Sequence, residues 1–297
     1  MSASLAPAEE HHGRAILLRL AAGLAFALMA AGVKLASDRG ANVLEIIFYR
    51  NAFSLPLIVG WIALGPGRAG IAVRRPRAHV SRAAIGLVSM LLNFQALRML
   101  PLAEATVISF SVPFFATALS AWLLAEDVRR HRWTAILVGL VGVLVVMQPG
   151  ASHVPLDGAL VGVAAALGVA AVTVTLRQLG STESATATVF WFALASTIAT
   201  GMTMPWFAQG HDAIAWALLL WVGVTGGAAQ LLNTASLRLA PVSVLSPFDY
   251  TQLVWATMIG WLVWRTTPTG ATLAGATIIM ASGLYIVHRE RRRRRET

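Results

Sequence analysis

The sequence predicts an all-α integral membrane protein, ten transmembrane helices arranged as two inverted repeats of five helices each. Three observations lead there. Of the 297 residues, 57% are hydrophobic and only 12% are charged, against about 25% charged in an ordinary soluble domain. Ten stretches are apolar over the roughly 20 residues that a helix needs to cross about 30 Å of hydrocarbon with every backbone group satisfied internally. Finally, LLNFQALRMLP (Leu91 to Pro101) returns 140 residues later as LLNTASLRLAP (Leu231 to Pro241). Leu91/Leu231, Leu92/Leu232, Asn93/Asn233, Leu97/Leu237, Arg98/Arg238 and Pro101/Pro241 are identical pairs. A hydrophobic chain that repeats itself at half its length is the pattern of a transporter.

The segments fall at about 15–36, 44–65, 79–99, 103–124, 132–149, 157–177, 185–207, 214–237, 242–264 and 269–288. Arg14 and Arg19 precede the first, as in a secretory signal, but its apolar run is longer than a signal core and Lys34-Leu35-Ala36-Ser37 makes a poor cleavage site. It is read as a retained helix. The second carries Arg50 within FYRNAF, and the third ends in the first copy of the repeated motif. The fourth opens after Pro101 and is interrupted by Pro113, and the fifth follows a charged stop, Glu126-Asp127 before Arg129 to Arg132. Pro149-Gly150 divides the halves. In the second half, the eighth segment ends in the second motif copy, the ninth contains Pro247, and Thr267-Pro268 precedes the tenth. Small-residue stretches, Gly139 to Gly142, Gly158 to Gly162 and Gly223 to Gly227, suit close helix contact.

Orientation follows from the basic residues. With a cytoplasmic N-terminus, Arg14, Arg68, Arg74, Arg75, Arg77, Arg82, Arg129, Arg130, Arg132, Arg177, Arg238 and the arginines from Arg289 to Arg295 lie inside. Only Arg39, Arg98 and Arg265 lie outside, so the positive-inside rule places both termini in the cytoplasm. The domains are then 15–149, 157–288 and a basic cytoplasmic tail, 289–297. The net charge of +10 is a topology signal, and the tail suits anionic lipid headgroups rather than nucleic acid. An odd number of helices per copy inverts the second half, which is the geometry that lets one central site open to either side.

The chain has no cysteine, no phosphate loop, and only scattered histidines. No metal site, cofactor site or catalytic constellation is expected, and the protein is not expected to be an enzyme.

ALRMLPLAEATVISFSVPFFATALSAWLLAED with HRWTAILVGLVGVLVVMQPG, and ASLRLAPVSVLSPFDYTQLVWATMIGWLV with LAGATIIMASGLYI, resemble the two repeats of the drug/metabolite transporter superfamily, EamA-domain type. The resemblance covers nearly the whole chain. It implies ten helices, residence in the bacterial inner membrane, and transport of small organic metabolites without ATP. Similar members export amino acids or related metabolites, and others import riboflavin or S-adenosylmethionine. Arg265-Thr266-Thr267 departs from the pattern, standing where many members, and the first copy at Glu126, carry a glutamate.

Ionisable residues at membrane depth are functional candidates by default. Arg50 resembles an arginine of the family's second helix; it either holds a substrate carboxylate with its fork of donors or acts as a brace, paired with Glu45 or with helix C-terminal carbonyls. Lys34 either contacts substrate or snorkels to the outer interface. Glu104, after Pro101, suits a helix start favoured by the dipole or a proton-coupling site. Asp249, beside Pro247, is read as a cavity acid for a substrate amine or a proton, with a locally satisfied structural acid as the alternative. Asn93 and Asn233 form a matched pair suited to helix-to-helix bonding or to the pathway. Phe110, Tyr250 and Trp255 are candidates to face a planar solute, whereas Trp206, Trp261 and Trp264 sit at segment ends as interfacial aromatics. The expected function is secondary active transport of an amino acid or related metabolite, as efflux, with proton coupling open. Uptake of riboflavin or a similar aromatic solute and a non-transporting scaffold are the alternatives, and oligomeric state is open.

Overall fold

A computed structural model describes residues 6–65, 67–125, 130–148, 154–180 and 182–293. The predicted stops at Glu126, Asp127 and Arg129, the turns at Pro66 and Pro149-Gly150, and tail residues 294–297 lie outside them.

The described residues form helices without strands. They are α1 (Ala6–Asp38), α2 (Val43–Leu64), α3 (Pro76–Met99), α4 (Leu102–Ser109), α5 (Val112–Leu123), α6 (Arg130–Met147) and α7 (Leu156–Leu179). There follow α8 (Ala185–Gly201), α9 (Met204–Phe207), α10 (Ala213–Leu239), α11 (Val242–Asp249), α12 (Thr251–Trp264) and α13 (Gly270–Arg293), with a 3₁₀ turn at Arg68–Ile71. Seven stretches are long and apolar enough to cross a membrane: His12–Asp38, Val43–Leu64, Pro76–Met99, Leu102–Leu123, Leu156–Leu179, Ala213–Leu239 and Gly270–Arg289. Arg132–Met147 and Ala185–Gly201 are apolar but shorter. The outer surface is correspondingly greasy, with Leu137, Val141 and Leu144 of α6 and Trp261 and Leu262 of α12 exposed, as lipid-facing helices require.

Helix starts follow the sequence. Asn42 and Glu45 form a reciprocal capping box on α2, the Glu45 N–H donating to Asn42 Oδ1 at 3.0 Å and the Asn42 N–H to Glu45 Oε2 at 3.1 Å. Ser184 caps α8 and Asp212 caps α10, accepting from the N–H of Ala187 and Ala215 at 2.9 and 2.7 Å. The repeated motif acts as a helix end in both copies. Arg98 and Arg238 occupy the last turns of α3 and α10, where the dipole favours a cation. Pro101 and Pro241 then hold Leu100 and Ala240 extended and start the next helix.

The repeat persists at residue resolution. α4 and α11 have the same length and begin and end 140 residues apart, and α6 and α13 start at Arg130 and Gly270. Ala125 and Arg265, equivalent residues, both take positive φ, 51° and 56°. Two of the predicted segments are each broken, the fourth at Phe110-Ser111 and the ninth at Tyr250. At both breaks an equivalent hydroxyl turns back on the preceding turn: Ser111 Oγ donates to Ile108 O at 2.6 Å and Thr251 Oγ1 to Phe248 O at 2.7 Å. Such back-bonding competes with the helix ladder and bends it. The predicted seventh segment, 185–207, is also divided, into α8 and the single turn α9.

The halves interlock. α1 packs most extensively on α10, and its counterpart α7 on α3, while α6 and α13 pack on each other. One core runs through both halves, including Ile46, Leu100, Ile108, Phe114, Leu219 and Ile279.

Candidate functional site

A cavity of about 370 Å³ lies between the halves, within the size range of small-molecule sites. The first half contributes α1 to α4 and the second α7, α8, α10 and α12. Its wall is apolar around Phe26, Phe94 and Phe192, with the amides Asn93, Gln230 and Gln252 and the hydroxyls of Ser54, Ser89, Thr106 and Ser109. Each hydroxyl donates to a carbonyl of its own helix, as Ser89 Oγ does to Ile85 O at 2.6 Å and Thr106 Oγ1 to Leu102 O at 2.7 Å. Their oxygens therefore face the cavity as acceptors.

Two arginines line this space. Arg50, from α2, is 7% exposed; its Nη1 donates to Asn51 Oδ1 at 2.8 Å, and its Nε is buried without a hydrogen-bond partner. Arg82, from α3, is 9% exposed and stacks over the Phe192 ring at 4.1 Å, with Nε and Nη1 both unpartnered. Glycines make the room. A Cβ at Gly226 would lie 3.0 Å from Arg50 Nε, and one at Gly86 would press on Arg82 Nη1 and lie 2.7 Å from the Phe192 ring. No Asp or Glu lines the cavity among the described residues.

Of the eight residues singled out from sequence, the structure brings Arg50 and Asn93 to the cavity wall and places the other six elsewhere. Arg50 does not brace Glu45. That carboxylate, fully buried, accepts from the Gln209 N–H at 2.7 Å and meets His211 Nε2 at 3.1 Å, besides capping α2. Asp249 is held by Arg19: Nη2 donates to Oδ2 at 2.8 Å and Nε to Oδ1, while Nη1 donates to Asn233. Lys34 closes the end of α3, its Nζ donating to the carbonyls of Leu97, Arg98 and Leu100 at 3.4, 3.4 and 3.0 Å. Glu104 is buried and accepts from Thr272 Oγ1 at 3.1 Å, tying α4 to α13. Phe110 and Tyr250, the residues at the two helix breaks, meet edge to face at 5.1 Å. Trp255 buries its Nε1 without a partner.

Sequence reasoning missed Arg82, grouping it with the basic flank of the third segment. The available signal was the spacing SRAAIG: Gly86 lies one turn on from Arg82 and leaves its side of the helix open.

Loops tie the helix ends together on both faces. Glu183 Oε1 accepts from the N–H of Arg74 and Arg75, both at 2.8 Å, and Oε2 faces His79 Nε2 at 3.5 Å. Burial pushes this carboxyl up, but the two backbone donors and His79 outweigh it and hold it below the ordinary carboxylate value. Trp191 Nε1 donates to Ile71 O at 2.9 Å beside it. At the other end, the Asn42 amide donates to Phe207 O at 2.7 Å and Arg39 pairs with Asp212 at 2.9 Å. The Ala215 N–H, against a burial effect of opposite sign, and Arg39 hold the Asp212 carboxyl below its usual value.

The EamA-like transporter family matches the chain twice, over residues 13–148 and 156–288. The chain is 29% identical over 270 residues to the pseudopaline exporter of Pseudomonas aeruginosa, covering 90% of this chain and 93% of that protein. It is 27% identical over 290 residues to the riboflavin transporter of Vibrio cholerae, covering 96% and 97%. It is 26% identical over 252 residues to the S-adenosylmethionine uptake transporter of Rickettsia bellii, covering 84% of each. A solved crystal structure of 20% identity aligns over 94% of this chain and 96% of that one with a TM-score of 0.61, a likeness of fold. With matches spanning both halves, this multi-pass membrane protein belongs to the EamA-like transporter family.

Proposed function

We propose that the protein is a secondary transporter of a small organic metabolite in the bacterial inner membrane, with ten crossings, both termini cytoplasmic and the cavity as its site. The observation that carries this reading is the position of the cavity between two halves whose helix ends repeat at one fixed offset. Halves of that kind exchange conformations and open one site alternately to each side. α11 and α12 together cover the ninth predicted segment, so seven long stretches, two shorter ones and this pair support ten crossings. Every loop contact described above joins ends that the basic residues assign to one face. Arg74, Arg75 and Glu183 are inner, and Arg39, Asn42, Phe207 and Asp212 are outer.

Similar proteins named as an exporter and as uptake transporters support the general role. Efflux is the direction proposed, and gradients decide it, since alternating access runs either way. Uptake of a flavin-like solute is the second reading, favoured by the aromatic wall of Phe26, Phe94 and Phe192. Proteoliposomes loaded with labelled amino acids, nucleosides and flavins test the reading. Saturable flux that falls at least about tenfold in Arg50→Gln, the loss of one charge-assisted contact, is the expected result. No movement of any solute under any ion gradient would leave only a scaffold.

A further inference from the structure

We propose that the cavity selects an organic anion bearing two acidic groups, carboxylate or phosphate, gripped by Arg50 and Arg82 together. The inference rests on the cavity being the transport site and adds the charge of what is carried.

Arginine stays protonated at neutral pH, so neither guanidinium escapes burial by losing its proton. A buried charge without an opposite one is costly. Yet Arg50 Nε, Arg82 Nε and Arg82 Nη1 have no hydrogen-bond partner, and no carboxylate lines the cavity among the described residues. Acids outside the cavity are bonded elsewhere: Glu45 to Asn42, Gln209 and His211, Glu183 Oε1 to the N–H of Arg74 and Arg75, and Asp249 to Arg19. The cavity therefore carries two positive charges whose natural counter-charge is the solute.

The donor geometry sharpens the class. A guanidinium presents a planar fork that matches carboxylate and phosphate oxygens two at a time. Phe192 fixes the plane of the Arg82 fork from one side. One carboxylate neutralises one fork and leaves the other unmet, so the fitting solute has two acidic groups. A cation, or the ammonium of a zwitterionic amino acid, meets no acid here. The unforked acceptors of the wall, Ser54, Ser89 and Ser109, suit hydroxyl groups between the acidic ends.

The test is calorimetric titration of the full chain in phosphate-free maltoside detergent at constant ionic strength, with citrate, succinate, alanine and spermidine as probes. Citrate or succinate binds; alanine and spermidine do not. Arg50→Gln and Arg82→Gln each weaken binding about tenfold or more, Arg82→Lys falls between, and Arg39→Gln, in the peripheral pair with Asp212, binds as the parent does. If the double variant binds citrate as tightly as the parent, or if only alanine or spermidine binds, the proposal is overturned. A purified phospholipid that displaces citrate at one equivalent through the same two arginines would make the occupant a headgroup and overturn it too. A variant that misfolds is bypassed in the parent protein: citrate protects Arg50 and Arg82 from phenylglyoxal, read by peptide mass spectrometry, and equal modification with and without citrate counts against the site. Flux of a neutral solute with no anion binding would sink this inference and leave transport standing.

Discussion

The ionisable side chains of the helices divide into those whose polar atoms are met within the protein and those that keep unpartnered donors. Asp249, Glu104, Glu45 and Lys34 are all hydrogen-bonded within the protein. Arg19 is the residue on which this is easiest to test, because it satisfies Asp249 and Asn233 at once. Its replacement by glutamine leaves the carboxylate without its cation. Removing one partner of a fully buried pair costs about 3–5 kcal/mol, but the Asp249 side chain keeps 38% of its surface exposed, so about 1–2 kcal/mol is expected here. Thermal unfolding in detergent should show Arg19→Gln melting well below the parent and Arg19→Met/Asp249→Leu recovering much of the loss. An unshifted single variant would mean that the pair contributes nothing. That Asp249 is an unusual intramembrane acid was readable from its neighbours in the chain. Its partner was not, since Arg19 lies 230 residues away and no local spacing encodes so distant a contact. Arg82 was missed for the opposite reason: its sequence context, a run of basic residues, matches the membrane flank, and Gly86 one turn on is the one local mark of its burial.

Proline signalled an interruption in the fourth and ninth segments, and the breaks are there, but their positions are set by something subtler. Pro113 leaves the carbonyl one turn before it without a donor and crowds it, which accounts for a break just ahead of it. Pro247 stands inside α11, and the chain breaks only at Tyr250. What the breaks share is the hydroxyl at positions 111 and 251, a matched pair that the sequence shows but that only the bonded geometry explains. The loop clamp at Glu183 makes a prediction on the same scale. Because the folded Glu183 carboxyl is held below its ordinary value of 4.5, its contribution is fully present above that pH and is lost as pH falls through the lower folded value. The difference in melting temperature between the parent and Glu183→Gln should be constant above about 4.5 and shrink below it. A difference that persists undiminished into strong acid would remove the carboxylate from the clamp.

For the whole molecule, the duplication was legible as a period of 140 residues and the class as composition. The cross-packing of the halves was not, because periodicity says which helices are equivalent and nothing about which ones touch. The proposed inversion makes a direct prediction. Arg98 and Arg238 are one residue of one motif, both exposed at helix ends, and the chain has no cysteine of its own. Single cysteines at these positions should react with a membrane-impermeant maleimide from opposite sides, Arg98→Cys in intact cells and Arg238→Cys only once the membrane is opened. Labelling of both from one side would rule out the inverted arrangement. The interlocked packing also sets a timetable for synthesis. α1 ends at Asp38, but the helix that covers it, α10, is complete only at Leu239. At about 5–20 residues per second, the ribosome takes on the order of 10–40 s to deliver it. During that interval the face of α1 that will meet α10 lacks its cover, so the first helix waits for most of the chain before its packing is complete.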